Sequence, residues 1–236
     1  MTIRTTSCGG RGFVIAAHRR TAFVLTAFAV LVLGALGSGC GSSVGSSGGF
    51  GQNTADCNLL VPFANVPGGN FEGCTLPLGS SIQSGIFDEA NFLDANLNEA
   101  IMTPGVSAQC ANMTGTWMEF AQMQGIDLRG ANLTGANMLG AVLTPDLSGG
   151  GPALLNCAIL VGADLRYADL SGADLTDVDF TGAFMHNVLL DNADVEGACF
   201  DNVSWGPGGS TPALANTTGT PACPAGTSCA SPCSVQ

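Results

Sequence analysis

The sequence predicts an all-β solenoid whose sides are each five residues long. Twenty-seven five-residue segments have an apolar residue at their centre, position i. Alanine occupies position i−2 in seventeen of these segments, and Asp or Asn occupies position i−1 in thirteen. Because residues two apart on an extended strand point to the same side, positions i−2 and i are expected to face inward and position i−1 outward.

The five-residue spacing requires the chain to bend after every segment. The next i−2 residue follows position i by three residues, and in a straight strand this odd step would place it on the outer surface. Repeated bends toward the apolar side close a coil, and stacked coils bury one another's apolar sides. The stretch GADLRYADLSGADLTDVDFTGAF at 162–184 shows the period most clearly. Residues twenty apart should stack, so Asn112 and Asn132 are expected to form an amide ladder.

These segments resemble the A(D/N)LXX repeats of the pentapeptide-repeat family. The resemblance implies four sides per coil and a right-handed quadrilateral β-helix. About seven coils would then form a rod roughly 32 Å long. The repeats are predicted to fill residues 59–207, interrupted at 79, 105–110 and 146–152, where the chain is expected to form surface loops at corners. A narrow, filled interior leaves no room for a small-molecule substrate.

The N-terminal region has the pattern of a secretory leader. Basic residues precede an apolar run at 21–37, which predicts a signal peptide over 1–39. The residues Leu36-Gly37-Ser38-Gly39-Cys40 resemble a bacterial lipobox, in which the cysteine is lipidated. Simple secretion or release to the periplasm, with cleavage near residues 35–37, and a retained membrane anchor are the alternatives. Residues 40–58 would hold the lipid-bearing Cys40, a Gly/Ser-rich linker and an N-terminal cap.

The cysteines predict disulfide-rich flanks. If Cys8 leaves with the signal and Cys40 carries lipid, an even set remains, which an exported protein is expected to oxidise. Cys57 and Cys74 lie about one coil apart and could staple the first turn. The Gly-, Pro- and Thr-rich tail, 208–236, contains three cysteines and the body five, so at least one bond must join tail to body. The tail is predicted to fold back as a disulfide-tethered cap, with Cys199 as the nearest body partner. The possible disulfide cysteines are Cys57, Cys74, Cys110, Cys157, Cys199, Cys223, Cys229 and Cys233.

Charge and composition predict no catalytic, cofactor or metal site. After Cys40 the chain has eighteen acids and two arginines, a formal charge of −16, which argues against nucleic acid as a partner. His186 is expected at an exposed position without the cleft that a nucleophilic site needs. The tail cysteines do not have the spacing of a zinc site. Asp174, Asp177 and Asp179 are interpreted as a solvated acidic face.

These features together predict a non-enzymatic scaffold or protein-interaction module of the bacterial cell envelope, exported and held at the membrane by lipid on Cys40. Its partner would be an unknown envelope protein or a second copy of the chain. Trp117, Phe184 and Leu189 occupy outward positions that are normally polar, so they could mark the contact face. The alternative, implied by resemblance to some family members, is an acidic DNA mimic that binds topoisomerase. The export signal and the cysteines argue against this alternative.

Overall fold

The computed structural model of the chain describes residues 57–103, 105–206 and 217–219. The predicted signal peptide, Cys40, the Gly/Ser-rich linker and most of the tail lie outside the described residues. The first described element is a short 3-10 helix, Cys57–Leu59. It leads into a right-handed quadrilateral β-helix, as the resemblance to the pentapeptide-repeat family implied.

Each side of the β-helix contributes one outward residue to a parallel β-bridge with the next coil. Bridged residues are 20 apart in uninterrupted coils, 21 apart where one residue is inserted, and 27 apart across the loop at 146–152. The bridges define four faces. Face 1 carries Asn65, Ile86, Ser107, Asp127, Leu154, Asp174 and Asp194; face 2 carries Asn70, Asn91, Asn112, Asn132, Ile159, Asp179 and Cys199; face 3 carries Thr75, Asn96, Trp117, Asn137, Asp164, Phe184 and Ser204; face 4 carries Ser81, Ile101, Gln122, Val142, Asp169 and Leu189. Coils are numbered 1 to 7 in the order of the face 1 residues.

A tight turn joins each side to the next and supplies the predicted bend. The first residue of a side donates its backbone N–H to the carbonyl oxygen of the preceding centre, as from Ala95 to Phe92 at 2.9 Å. The residue just before it has a positive φ, as in Asp94 at 53° and Gly135 at 65°. A hydrogen bond from the N–H of residue i+3 to the carbonyl oxygen of residue i, with a positive φ at residue i+2, is the signature of a type II β-turn. The five-residue period is therefore three extended residues and two turn residues.

The interior is filled by the i−2 and i side chains of every coil. Most i−2 positions are alanine, whose small side chain fits beside the turn, and nearly all are fully buried. Near the N-terminal end, Phe71 stacks on Phe92 with ring centroids 4.9 Å apart, and Phe87 meets both rings edge-on. Near the other end, Phe180 stacks on Phe200 at 5.1 Å.

The first predicted repeat, 59–63, does not form a regular side. Its expected centre, Val61, is 46% exposed, whereas Leu60 is buried. The chain leaves the 3-10 helix with Leu60 facing inward, and the first bridged residue is Asn65 of the next segment. A disulfide between Cys57 and Cys74, with Cα atoms 5.4 Å apart, ties this irregular segment to the first coil.

The prediction that 105–110 interrupts the repeats is wrong except for its first residue. Ser107 is bridged to Ile86 below and to Asp127 above, and both Val106 and Ala108 are buried. Residues 106–110 therefore form a complete side, in which the larger inward residue is at i−2 and alanine is at the centre. Only Gly105 is inserted. Because the missed side changes the count, Gly105 shares a corner with the 146–152 loop, and Gly79 lies at the adjacent corner.

Residues 146–152 form a loop between face 4 and face 1. An antiparallel bridge between Asp146 and Gly151 closes it. The Asp146 carboxylate accepts hydrogen bonds from the Ser148 hydroxyl and from the backbone N–H groups of Ser148 and Gly150. These bonds lower the pKa of Asp146, the Ser148 hydroxyl contributing most. Leu147 at the tip is 98% exposed.

Candidate interaction surfaces

Large exposed apolar side chains concentrate along the corner between faces 3 and 4. We call this corner the apolar edge. Its members are between 48% and 69% exposed, namely Leu78, Trp117, Phe120, Tyr167, Phe184 and Leu189. The exposure expected for Trp117, Phe184 and Leu189 is confirmed. The outward i−1 positions did not indicate Leu78 and Phe120, because both residues lie at the second turn position of their segments.

The turn residues on the apolar edge stack along the rod axis. Leu78, Phe120 and Tyr167 occupy the same turn position in coils 1, 3 and 5. The Phe120 ring lies over Gly140 in coil 4, where an added Cβ would come within 2.6 Å of the ring. Gly140 therefore provides the space that the ring occupies. The edge is an alternation of large apolar and small or polar residues on a rigid backbone.

Polar groups beside the apolar edge are paired with one another. Arg166 donates to the Asp164 carboxylate with a shortest N–O distance of 2.6 Å, and this hydrogen bonding lowers the pKa of Asp164. Asn137 donates its side-chain N–H to Glu119 at 2.6 Å. The charged and amide groups that neighbour the apolar side chains of face 3 therefore already have hydrogen-bond partners.

Face 1 carries three carboxylates in coils 4, 6 and 7. Asp174 is bridged to Asp194, whereas Leu154 separates Asp174 from Asp127, and Arg129 pairs with Asp127 at 2.6 Å. Asp177 lies at the corner between faces 1 and 2. Burial, together with the charges of Glu196 and Asp174, raises the pKa of Asp177.

Face 2 carries an asparagine ladder. Asn91 donates to Asn70 at 3.1 Å, and Asn112 donates to Asn91 at 2.9 Å. The predicted stacking of Asn112 on Asn132 is present in the backbone, but the Asn132 side-chain oxygen accepts from Thr134. The amide ladder therefore lies one step nearer the N-terminus than expected.

The other candidate residues are spread over the walls of the rod. His186 Nε2 is 2.9 Å from the Ser204 hydroxyl, while Asp164, one coil earlier, is held by Arg166. Asp174 and Asp179 accept hydrogen bonds from Thr176 and Thr181 respectively. Within 57–103, 105–206 and 217–219, no three metal-ligating side chains of the His, Cys, Asp or Glu types converge. The same residues contain no helix long and apolar enough to span a membrane.

All five cysteines of the described region are oxidised. Cys57 is bonded to Cys74, and Cys110, Cys157 and Cys199 are each disulfide-bonded. The tail cysteines that were predicted to form disulfides lie outside the described residues, namely Cys223, Cys229 and Cys233. Because three is an odd number, at least one of the three body cysteines is bonded to a cysteine outside the described part of the chain.

Comparison with known proteins identifies the repeats. The family model for pentapeptide repeats matches in eight copies, over residues 111–144, 153–182 and 168–204. No curated protein matches the sequence. A similar solved structure is HetL, a pentapeptide repeat protein involved in heterocyst differentiation regulation in the cyanobacterium Nostoc sp. strain PCC 7120. It is 22% identical, with 59% of this chain and 73% of HetL covered and a TM-score of 0.33.

Two further structures are similar at the same level. A pentapeptide repeat protein from the Arabidopsis thaliana thylakoid lumen is 28% identical over 40% of this chain and 67% of its own, with a TM-score of 0.25. QnrB1, a plasmid-mediated fluoroquinolone resistance protein, is 14% identical over 59% of this chain and 71% of its own, with a TM-score of 0.22. TM-scores this low support no inference about activity. The family-model match identifies residues 111–144 and 153–204 as pentapeptide repeats, and the four-sided coil agrees with that match.

Proposed function

We propose that this protein is an exported, non-enzymatic scaffold of the bacterial cell envelope that is anchored by lipid on Cys40 and binds a protein partner through the apolar edge. The observation that carries the proposal is the concentration of exposed apolar side chains on one edge of the rod. From Asn65 onward, six of the eight large exposed apolar side chains within the described residues belong to that edge. The two others are Ile86 on face 1 and Leu147 on the loop.

A rigid apolar edge suits protein binding for energetic reasons. A few residues dominate the binding energy of a protein interface, and Trp and Tyr are among the types enriched there. Phe120 and Tyr167 sit on turns that are fixed by backbone hydrogen bonds to the neighbouring coil, so little backbone entropy is lost when a partner binds. The neighbouring polar groups Asp164, Arg166 and Asn137 already have hydrogen-bond partners and lose little by partial burial.

The leader supports export and the lipid anchor. The basic residues, the apolar run at 21–37 and Cys40 have the order of a lipoprotein signal. The oxidised state of the described cysteines is consistent with an oxidising compartment outside the cytoplasm. Intact-mass analysis of the protein from its native host, after cell fractionation, tests this part. A mature chain beginning at a lipid-modified Cys40 is expected, and Cys40→Ala should remain unmodified.

The partner-binding part needs a separate experiment. Phe120→Asn and Tyr167→Asn would be combined in the full-length chain, because Asn tolerates the positive φ of both positions. Glu89→Asn with Asp177→Asn is the matched control at the same turn position on the corner between faces 1 and 2. Cross-linking in intact envelopes should give a partner adduct with the wild type and the control, and the adduct should be lost with the apolar-edge variant. Loss with both variants, or with neither, would contradict the assignment of the edge.

The second candidate is the acidic topoisomerase-binding mimic. The observation in its favour is the set of carboxylates on face 1, although Leu154 separates Asp127 from Asp174 and Arg129 already neutralises Asp127. An unprocessed protein in the cytosolic fraction, with free cysteines, would favour the mimic. Inhibition of gyrase supercoiling by the purified chain would then be the direct assay.

A further inference from the structure

The corner between faces 3 and 4 has a charge pattern that is complementary to its own reverse. Each coil places two turn residues there, the first toward face 3 and the second on the apolar edge. An acidic and an aromatic residue lie in coil 3, and a basic and an aromatic residue lie in coil 5, with two uncharged residues between them in coil 4. In coil order these pairs are Glu119 with Phe120, Leu139 with Gly140, and Arg166 with Tyr167.

The charges decide how a second copy of the chain would meet this corner. In a closed dimer, a two-fold axis brings the same surface of both copies together. If the two rods ran parallel, each coil would face the same coil of the second copy, so Glu119 would oppose Glu119 and Arg166 would oppose Arg166. Like charges in direct opposition are unfavourable. Antiparallel rods avoid this opposition, because each coil then faces a different coil, except at the axis.

The charges also favour one register of the antiparallel rods. With the two-fold axis at coil 4, coil 3 of each copy faces coil 5 of the other. Glu119 then opposes Arg166, and Phe120 opposes Tyr167. Because of the symmetry, each of these oppositions occurs twice. A shift of the second copy by one coil in either direction removes the opposition of Glu119 to Arg166, so only the register centred on coil 4 joins opposite charges.

Both charged groups have capacity for a further hydrogen bond. Glu119 accepts the side-chain N–H of Asn137 through Oε1 at 2.6 Å, and its Oε2 accepts none from the residues that the structure describes. Arg166 donates to Asp164 through Nε and Nη2, and its Nη1 donates to no residue of the same ranges. The Arg166 side chain is 45% exposed. Its Nη1 can therefore bind Glu119 of a second copy while Asp164 keeps its own hydrogen bonds.

The aromatic rings are placed to interleave across such an axis. Phe120 and Tyr167 are both more than half exposed. The Phe120 ring lies over Gly140, so it leans from coil 3 toward the axis at coil 4. It can therefore pack beside the Tyr167 ring of the second copy instead of meeting it head-on, as aromatic pairs prefer. Gly140 itself carries no side chain that would hold the two copies apart at the axis.

The exposed apolar area predicts a weak dimer. A buried aromatic side chain covers about 150–250 Å², and Trp117, Phe120, Tyr167 and Phe184 are each about half exposed. They offer roughly 400 Å² per copy, or about 800 Å² in total, whereas stable complexes bury about 1,200–2,000 Å². The formal charge of −16 also repels two copies, although salt screens this repulsion beyond about 8 Å. Pairing is therefore expected where copies are concentrated, as they would be by the proposed lipid anchor.

We infer that the partner of the apolar edge is a second copy of this chain, packed antiparallel across a two-fold axis at coil 4. Glu119 of each copy binds Arg166 of the other, and Phe120 of each copy packs beside Tyr167 of the other. The inference rests on the proposed function, because it names the protein that the apolar edge binds. The pairing covers the apolar edge of both rods and leaves faces 1 and 2 of each rod on the outside of the dimer.

Charge reversal tests the register, by sedimentation velocity of the lipidated full-length protein in detergent. Glu119→Arg alone or Arg166→Glu alone puts like charges opposite each other twice, so each should raise the dissociation constant about tenfold or more. An equimolar mixture of the two variants restores both oppositely charged pairs and should associate like the wild type, which misfolding of either variant could not produce. Arg129→Glu, which reverses the corresponding ion pair on face 1, is the matched control and should leave association unchanged. Single variants that associate like the wild type, or a mixture that stays monomeric, would overturn the inference.

Photo-crosslinking in intact envelopes separates failure of the dimer from failure of the proposed function, and it suits a chain without lysine. p-Benzoylphenylalanine in place of Leu139 lies at the axis and should give an adduct of twice the chain mass. The same replacement of Val161, the first turn residue at the corner between faces 2 and 3, should give none. An adduct with a different protein, abolished by Phe120→Asn with Tyr167→Asn, would refute the dimer and leave the proposed function standing. No adduct from Leu139, together with a monomer in sedimentation, would count against both.

Discussion

The positive φ at the second turn position makes a quantitative prediction. Gly135 and Gly182 both occupy this position, with φ of 65° and 68°, and a Cβ added to either would meet no atom within 4 Å. Substituting both with alanine therefore tests the backbone conformation without a steric clash. The two sites stack on the same corner but are two coils apart, about 10 Å, so their effects should add.

The expected magnitude follows from two opposing terms. Placing an L-residue in the left-handed region costs about 1–2 kcal/mol. Alanine also lowers the conformational entropy of the unfolded chain, which returns about 0.4–1 kcal/mol per site. The net loss is about 0.5–1 kcal/mol per site, so Gly135→Ala with Gly182→Ala should lower the free energy of unfolding by about 1–2 kcal/mol.

Urea unfolding of the disulfide-intact protein, followed by circular dichroism, measures this difference. Val161→Ala is the control. Val161 is the first turn residue at the same corner, in coil 5, and its φ is not positive. The reverse change, Glu99→Gly, replaces a side chain at φ 56° and should stabilise the fold. If the double alanine variant were as stable as wild type, or Glu99→Gly were destabilising, the proposed origin of the five-residue period would be refuted.

Three other predictions concern the ion pair, the first disulfide and the aromatic stack. Arg166→Met should lower the free energy of unfolding only slightly at neutral pH, because the pair is partly exposed and is screened by solvent. Since Arg166 lowers the folded-state pKa of Asp164, this difference should be complete above the ordinary carboxyl pKa and should vanish as pH falls through the folded-state value, which urea unfolding across pH 2–7 checks. Replacing both Cys57 and Cys74 with serine should cost about 3 kcal/mol, read as a lower midpoint of thermal unfolding, because the bond closes a loop with a sequence separation of 17. Phe92→Ala should cost about 3–5 kcal/mol in the same assay, because it empties the stack against Phe71; a loss below about 1 kcal/mol would contradict the filled interior.

The fold could be predicted from the sequence because the solenoid repeats one rule. Inward positions alternate Ala with Leu, Phe or Met, and the odd step between them forces a turn, so pattern and structure agree from Ala111 to Pro145 and again from Ala153 onward. The rule was insufficient where the residues depart from it. In 106–110 the larger inward residue is Val106 at i−2, and Ala108 is at the centre. Both are small enough to pack, so the backbone continues its coil although the side chains reverse the usual order.

The prediction that residues 59–63 form a regular side was wrong for a different reason. Residues 59–63 have an apolar residue at the expected centre, but a solenoid end has no coil beneath it to hold the register. The 3-10 helix and the bond from Cys57 to Cys74 determine the path there instead. Pattern alone identifies sides that lie between two neighbours, and it is weakest where one neighbour is missing.

The candidate surfaces were harder to predict because they depend on counting coils rather than on recognising repeats. Inward residues are interchangeable fillers, so what distinguishes this rod lies at outward and turn positions, where Phe120, Tyr167, Cys110 and Cys157 occur. Two such residues share an edge only if the step from one side to the other is a multiple of four sides. Without the side at 106–110, a count from the sequence assigns every later residue to the wrong face relative to the earlier ones. The alignment of Leu78 with Tyr167 therefore could not be read from the sequence. Once the bridges establish the count, the large exposed apolar turn residues Leu78, Phe120 and Tyr167 fall on one edge and the bonded Cys110 and Cys157 on the diagonally opposite edge. Since the sequence separations on each edge are irregular, this segregation comes from face assignment and not from the five-residue period.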